Sequence, residues 1–272
     1  MIYQTHIPQL PLSEFIDWFW FYEGLRPVHT KERVLPQGTL ELVIDLQAEP
    51  KRLYDREDYS RFQLYRRSWI SGAHSQFIVI QAAENSSMMG IHFKPGGAHP
   101  FFGFPMTELK DAVVELDAVW GSRSIDLRDQ LIEAPSPAEK FRILEKFLLA
   151  QARKPLQRAP AIRFALQQFR KAPEMRTIQG LAGSLGFSHR HLICEFGKWV
   201  GLTPKLFCRI RRFQQVLECI EQRRDIEWAD VACGCGYYDQ AHFIRDFQAF
   251  SGLNPSGYLT QRGEYLNYVP IR

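Results

Sequence analysis

Side chains with planar hydrogen-bonding groups occupy early positions in two similar segments of the C-terminal third of the chain. They are Arg190 in the first segment, and Gln240 and Arg245 in the second. A guanidinium can donate two parallel hydrogen bonds to guanine, and a carboxamide can pair with adenine. Such groups can read a nucleobase only if a rigid element holds them outward. The elements around these residues therefore decide which chemistry is available.

The two segments form an internal repeat. The first copy, residues 181–204, reads LAGSLGFSHRHLICEFGKWVGLTP, and the second, residues 231–255, reads VACGCGYYDQAHFIRDFQAFSGLNP. Three residues of the first copy match residues 50 positions later: Ala182, Gly186 and Phe187. After one inserted residue, six more match residues 51 positions later: Ser188, Leu192, Phe196, Gly201, Leu202 and Pro204.

Each copy has the residues that a helix-turn-helix requires. A small residue in the first helix allows close packing, and Gly186 or Gly236 permits the positive φ of a tight turn. Ser188 or Asp239 carries the oxygen that caps the second helix. We call the copies the upstream unit (residues 181–204) and the downstream unit (residues 231–255). We predict that their second helices are exposed on one face.

A long helix that begins at Pro204 is predicted between the two units. Its apolar stripe consists of Leu206, Ile210, Phe213, Leu217 and Ile220. Its other face carries Arg209, Arg211 and Arg212. A single stiff helix would fix the distance between the units.

Charge is distributed unevenly along the chain. The net charge is +4, yet residues from Leu156 onward hold 16 Lys or Arg against 10 Asp or Glu. A positive half attached to a mildly acidic half indicates that a polyanion would bind the C-terminal half. No apolar run approaches the roughly 20 residues of a membrane span, and no signal peptide is evident. We therefore expect a soluble, cytoplasmic protein with no membrane partner and with reduced cysteines.

The N-terminal half has the pattern of a small β-domain followed by helices. Residues 34–46 alternate as a half-buried strand, and further strands are predicted at 69–70, 77–81 and 88–93. Helices are predicted to begin near Thr107 and at Ser136, the second extending over residues 137–153. We predict a β-rich region over 1–105, a helical region over 106–152, a linker over 153–160, a DNA-binding domain over 161–262 and a tail over 263–272.

The C-terminal segment resembles the DNA-binding domain of the AraC/XylS family of transcription regulators. The motifs that carry this resemblance are TIQGLAGSLGFSHRHLICEFGKWVGLTP and VACGCGYYDQAHFIRDFQAFSGLNPSGYL. The resemblance implies an α+β protein whose all-α C-terminal domain holds two helix-turn-helix units. It implies that the units enter major-groove segments about 34–36 Å apart. It also implies an N-terminal domain, expected to be cupin-like, that senses an effector or mediates dimerisation.

The family's base-contact positions can be carried over to this sequence. They fall on Arg190, Ile193, Cys194, Gln240, Ala241 and Arg245. Phosphate contacts are predicted for Lys198, Arg209, Arg211 and Arg212. Ile193 and Cys194 depart from the polar residues usual at those positions, so the upstream unit is expected to bind more by shape and phosphate. The predicted partners are double-stranded DNA, a small-molecule effector, RNA polymerase and a second copy of the chain.

Two other functions are compatible with the sequence. His74, His92 and His99 lie on or beside predicted strands, and cupin-type barrels can bind metal through histidines. A metal-dependent sensor or enzyme with a DNA-binding tail is therefore the alternative, and a protein-binding helical module is a third. Ordinary core or surface histidines are favoured, and no metal or other cofactor is predicted. Motifs of hydrolases, zinc proteases and dinucleotide-binding enzymes are missing from the sequence, so no enzyme activity is expected.

Overall fold

The computed structural model describes residues 1–152, 156–171, 178–221 and 226–271. The fold is α+β, as predicted, with antiparallel sheets in the N-terminal half and helices in the C-terminal half. Part of the predicted linker, residues 153–155, lies outside the described residues. Among the described residues, no helix is both long and apolar enough to cross a membrane.

Most strands precede most helices along the chain. The strands are, in chain order, β1 (Ile2–His6), β2 (Ile16–Glu23), β3 (Lys31–Val34), β4 (Glu41–Asp45), β5 (Lys51–Tyr54), β6 (Phe62–Tyr65), β7 (Ser68–Ser71), β8 (Ile78–Gln81), β9 (Ser87–Phe93), β10 (Val113–Glu115) and β11 (Tyr268–Ile271). The α-helices are α1 (His99–Phe102), α2 (Asp117–Trp120), α3 (Ser122–Glu133), α4 (Pro137–Gln151), α5 (Pro160–Lys171), α6 (Ile178–Ser184), α7 (His189–Val200), α8 (Pro204–Glu221), α9 (Trp228–Gly234), α10 (Gln240–Ser251) and α11 (Pro255–Gln261). Leu12–Glu14 and Met106–Leu109 form short 3₁₀ helices.

The strands form two antiparallel sheets. The first has the order β1-β2-β9-β4-β7-β10, and the second has the order β11-β3-β8-β5-β6. β11 comes from the segment predicted as a tail, and it pairs with β3 through the register Tyr268 to Val34 and Ile271 to Lys31. The end of the chain is therefore part of a sheet in the N-terminal half.

Three local predictions differ from the structure. Residues 34–46 do not form one strand, because Pro36 and Gly38 (φ 77°) separate β3 from β4. The helix predicted from Thr107 is only the 3₁₀ helix Met106–Leu109. The region predicted as helical also holds β10, which pairs with β7. The predicted helix over 137–153 is observed as α4, with Ser136 as its cap.

The two faces of β2 lie in different environments. Phe19 and Phe21 are buried, and the ring of Phe19 lies 6.4 Å from that of Phe141 on α4. Trp18 and Trp20 point to the opposite face, where they are partly exposed. The helices of the N-terminal half therefore cover one face of the first sheet.

His92 lies on that opposite face in a polar cluster. Its Nδ1 is 2.7 Å from Oε2 of Glu41, and the ring of Trp18 stacks on the imidazole at 4.3 Å. Burial lowers the pKa of His92, but the neighbouring Glu41 carboxylate outweighs burial and the net pKa is raised from 6.5. The His92–Glu41 pair therefore stabilises the fold fully at pH below 6.5, and the stabilisation is lost as the pH rises through the raised pKa.

We expect the melting temperature of the wild-type chain to fall between about pH 6 and pH 8 more steeply than that of a His92→Gln variant. The reason is that glutamine cannot release the proton on which the ion pair depends. Thermal unfolding across this pH range measures the difference. His189→Gln, at an exposed position of α7, is the matched control. An equally steep fall in the His92→Gln variant would contradict the assignment.

Candidate nucleic-acid interface

The upstream unit is built from α6, a tight turn and α7. Gly186 adopts φ 68° in the turn, as the sequence predicted. The Oγ of Ser188 accepts a hydrogen bond from the backbone N–H of His191 at 3.2 Å and so caps α7. Leu181 and Ala182 of α6 are buried against the unit's core. The prediction of a capped helix after a glycine turn is confirmed here.

The downstream unit repeats this geometry. Gly236 adopts φ 75°, and the ring of Tyr237 is buried beside Phe243, with centroids 5.4 Å apart. A carboxylate oxygen of Asp239 accepts a hydrogen bond from the backbone N–H of His242 at 2.6 Å. The helix α10 therefore begins with the same type of cap as α7, and its first free N–H groups face outward, where anions bind readily.

The second helix of each unit has a buried face and an exposed face. Leu192, Phe196, Phe243 and Phe247 are fully buried. The predicted base-contact residues lie on the other face: Arg190, Cys194, Gln240, Ala241 and Arg245 are exposed and Ile193 is half-buried. The structure thus leaves five of these six side chains accessible to a partner, and their roles toward DNA stay predictions.

The long helix α8 connects the two units. At about 1.5 Å per residue its 18 residues extend about 27 Å. The ring of Phe207, near its start, lies 5.5 Å from that of Phe196. The ring of Phe213, further along, lies 5.2 Å from that of Phe247. The helix α8 therefore packs against both α7 and α10 and fixes the positions of their exposed faces.

Two of the arginines predicted to contact phosphate have an internal partner. Arg209 donates through Nη2 and Nε to Asp246, at 2.6 and 3.2 Å from its Oδ1. Arg212 lies 3.9 Å from the same carboxylate and over the ring of Tyr237 at 4.9 Å. Asp246 itself is only 3% exposed. These guanidiniums therefore tie α8 to α10, a role that the sequence did not reveal.

The other two predicted phosphate contacts, Lys198 and Arg211, have no buried partner among the described residues. Nζ of Lys198 is 2.5 Å from Oε1 of Glu195, but the lysine side chain is 44% exposed. Arg211 forms no hydrogen bond or ion pair with any residue that the structure describes. Arg211 is half-buried, and of the three α8 arginines it is the one without an ion pair in the described residues.

Sequence reasoning missed one exposed aromatic residue. Tyr238 is the residue inserted within the second copy of the repeat, directly before the cap Asp239, and it is 93% exposed. The shift of the repeat from 50 to 51 positions is the signal that could have identified it. Its side chain extends the exposed surface at the start of α10.

The helical half is packed against the sheets at sites away from this surface. A methyl group added at Gly201, after the end of α7, would lie 3.0 Å from the backbone oxygen of Met106. The amide nitrogen of Gln214 on α8 donates to the backbone oxygen of Pro36 and to Oδ1 of Asn267, each at 2.8 Å. The contacts use the end of α7 and the flank of α8, so the start of α7 stays open.

The three histidines considered as metal ligands lie in separate surroundings. Nε2 of His74 is 2.9 Å from Oγ of Ser71, while the ring of His99 packs on Trp199 at 4.5 Å. Across residues 1–152 and the described parts of the C-terminal half, no three His, Cys, Asp or Glu side chains are grouped as metal ligands would be. The described geometry therefore does not bring His74, His92 and His99 together.

Two family models match this chain. Residues 4–115 match a domain of unknown function, and residues 181–261 match a helix-turn-helix domain. The second match spans both units of the repeat and the helix between them. The search of curated proteins found no match.

Several solved structures are similar to this chain in fold. The chain is 9% identical to ToxT from Vibrio cholerae, with 96% of this chain and 98% of that chain covered and a TM-score of 0.48. It is 22% identical to the C-terminal domain of AraT, a response regulator from Geobacillus stearothermophilus, over 39% of this chain and 91% of that chain, with a TM-score of 0.36. It is 24% identical to a probable AraC family transcriptional regulator from Rhodopseudomonas palustris, over 38% and 96% of the two chains, with a TM-score of 0.34.

Proposed function

We propose that this chain is a DNA-binding transcription regulator of the AraC/XylS family and not an enzyme, and that it reads its operator through α7 and α10 under the control of an effector bound by its N-terminal half. In this proposal residues 1–152 sense the effector or mediate dimerisation. Residues 153–160 are the linker, and residues 161–262 bind DNA in the cytoplasm.

The observation that carries the proposal is the pair of capped helices, each exposed along one face and both fixed to α8. Helices of this kind enter the major groove with their early residues at the base edges. Arg190 and Arg245 would each donate two hydrogen bonds to a guanine, and Gln240 would form two hydrogen bonds with an adenine. Ile193, Cys194 and Ala241 would offer only apolar or weakly polar contacts, so the downstream unit would supply more of the base recognition.

Phosphate contacts would position the protein on the duplex. Arg211 and Lys198 are the predicted phosphate contacts without a buried partner, and the free N–H groups at the starts of α7 and α10 supply further donors. Arg209 and Arg212 would contribute mainly by holding α10 in place, since both contact Asp246.

We expect affinity for a random-sequence duplex to fall steeply with salt, because bound cations release counterions from DNA. Arg211→Ala should weaken binding evenly across sequences and reduce the slope of log K against log salt by about 1. Fluorescence anisotropy over a salt series measures both values. Arg26→Ala, at an exposed loop position of the N-terminal half, is the control. Binding that does not depend on salt would favour a protein partner instead of DNA.

Effector control is supported by contacts from the N-terminal half to both units. The end of α7 packs on the backbone of Met106, and the end of α10 packs on Phe77 through Gly252. A change in the N-terminal half could therefore shift either unit. Operator selection from random duplex, run with and without a metabolite extract, tests this control. RNA polymerase and a second copy of the chain stay predicted partners.

A further inference from the structure

The segment that follows α11 returns to the N-terminal half of the chain. We call residues 263–271 the C-terminal strap; they end in β11, which pairs antiparallel with β3 at the edge of the second sheet. The two family matches cover residues 4–115 and 181–261, so the strap lies outside both. Neither match therefore accounts for this contact between the end of the chain and the sheet.

Residues of the strap are built into the interior of the protein. Val269 is fully buried. The backbone oxygen of Asn267 accepts a hydrogen bond from the backbone N–H of Leu35 at 2.9 Å. Oδ1 of Asn267 accepts one from the amide nitrogen of Gln214 on α8 at 2.8 Å, and Gln214 is only 5% exposed. Asn267 therefore joins the strap both to the end of β3 and to the helix between the two units.

A second set of contacts links the strap to the downstream unit through α11. The hydroxyl of Tyr258 on α11 donates to the backbone oxygen of Leu266 at 2.8 Å. The ring of Tyr258 is fully buried and lies 5.5 Å from that of Phe247 on α10. Nη1 of Arg33 on β3 donates to Oε1 of Gln261, the last residue of α11, at 3.3 Å. The strap therefore connects α10 to β3 by way of α11.

The helical half is also attached to the sheets near its other end. Arg158, two residues before α5, donates to the backbone oxygen of Glu14 at 2.9 Å, and its guanidinium lies over the Phe15 ring at 5.6 Å. The chain thus leaves the N-terminal half beside an anchored arginine and comes back to it in β11. A body that is fixed at two separate points cannot turn freely unless one attachment is released.

The strap can open without disturbing the rest of the sheet. β11 has four residues and stands at one end of the strand order, and β3 keeps β8 as a partner without it. Loss of such an edge strand leaves the other strands paired. Local opening of this kind costs less free energy than global unfolding, because few buried contacts are broken. The strap therefore has the properties of a detachable contact.

We propose that the C-terminal strap holds the downstream unit on the second sheet and couples the stability of the two. While β11 is paired, stabilisation of α10 and α11 is passed on to β3. When β11 detaches, β3 loses this stabilisation although both halves stay folded. The start of α10 is exposed while β11 is paired, so the strap leaves the proposed DNA-binding surface open. Detachment does not depend on the proposed function, which enters only through the effect of a duplex on β3.

Hydrogen exchange of the full chain, followed by mass spectrometry, tests the attachment. Val269→Asp puts a charge at a fully buried position and should detach β11. We expect amide exchange in β3 and α11 to become at least about ten times faster than in the wild-type chain, and exchange in β2 and β9 to stay unchanged. Val28→Asp, the same substitution at a fully exposed position, is the matched control. Exchange in β3 and α11 that equals this control would overturn the proposal.

Asn267→Ala is a milder variant that keeps the backbone pairing of β11. It removes the acceptor of the Gln214 amide and should raise exchange in the same two elements by a smaller factor. Because Asn267 and Gln214 share one hydrogen bond, Asn267→Ala should have less effect in a chain that already carries Gln214→Ala. Equal increases across all strands of both sheets, in this variant and in Val269→Asp, would indicate general destabilisation and overturn the strap.

The coupling is tested by repeating the exchange experiment with a saturating random-sequence duplex. A ligand that binds only the folded state stabilises it, so the duplex should slow exchange in α10 of the wild-type chain and, through the strap, in β3. In Val269→Asp it should slow exchange in α10 alone. Protection of β3 that persists in Val269→Asp, or wild-type protection limited to α10, would overturn the coupling. If the duplex changes exchange nowhere in the wild-type chain, DNA recognition is wrong, and exchange of the variants without DNA still decides whether the strap holds.

Discussion

Asp246→Asn is expected to lower the free energy of unfolding by about 2–3 kcal/mol and to weaken duplex binding at least as strongly as loss of a base contact. Removing one partner of a buried ion pair costs about 3–5 kcal/mol, because the other charge is left without compensation. We reduce this value because the Arg209 side chain is 35% exposed and solvent can rehydrate it. Arg212 is only 14% exposed and would stay poorly hydrated.

The effect on DNA binding follows from the position of Asp246. It lies on the inner face of α10, one residue after Arg245, and its carboxylate joins α10 to two arginines of α8. Asparagine keeps the shape but loses the charge, so α10 would no longer be fixed against α8. Base contacts depend on placing early residues of α10 correctly, and a looser helix would lose several contacts at once.

Chemical denaturation and duplex titration measure the two effects. Glu218→Gln removes a charge from an exposed position of α8 and is the matched control. A double-mutant cycle with Arg209→Gln separates the pair energy from other effects of the substitutions. If the Asp246→Asn variant has the same stability and duplex affinity as the Glu218→Gln control, the contacts of Asp246 with Arg209 and Arg212 do not hold α10 in place.

The repeat could be predicted from sequence because its signals are local. A glycine at the turn, an oxygen at the cap and apolar residues four apart are all read within a few residues of one another. Gly186 and Asp239 therefore have in the structure the conformation and the hydrogen bond that their types indicated. The same reasoning placed Leu192 and Phe243 in the core.

Features that depend on distant segments could not be predicted. The pattern on α8 separated Arg209 from the apolar stripe but could not show that Asp246, 37 positions later, lies opposite it. The strand β11 consists of four residues whose partner strand is more than 230 positions earlier. Short strands of this kind gain their stability from pairing, and the local sequence carries little of that information.

An open cavity beside Arg56 and Phe77 could not be predicted from the sequence either. Arg56 and Phe77 are 21 positions apart, and nothing in either local sequence indicates that both face the same space as Asp111. The sequence suggested His74, His92 and His99 as metal ligands only because histidine commonly binds metal ions. The structure gives His74 and His92 separate hydrogen-bond partners instead. Residue type identified candidate chemistry, and tertiary packing decided which side chains meet.

Arg245→Ala is expected to cost about 1–3 kcal/mol of operator affinity and to relax selectivity at one base pair. The side chain is exposed, and its Nε donates only to the backbone oxygen of Ala241, one turn earlier, at 3.2 Å. This intrahelical contact is readily exchanged for a base edge, because an exposed hydrogen bond contributes little to stability. Arg190→Ala in the upstream unit should have a smaller effect on selectivity, since its neighbour Ile193 is half-buried and offers no polar group to a base.

Operator selection with the wild-type chain and both variants distinguishes base reading from phosphate contact. A base contact changes the preferred nucleotide at one position, whereas a phosphate contact lowers affinity evenly and changes the salt dependence. Arg211→Ala provides the reference for the second behaviour. If Arg245→Ala keeps the wild-type motif and behaves as Arg211→Ala does, Arg245 binds phosphate. Sequence recognition by the downstream unit would then fall to Gln240 and the exposed Tyr238 beside its cap.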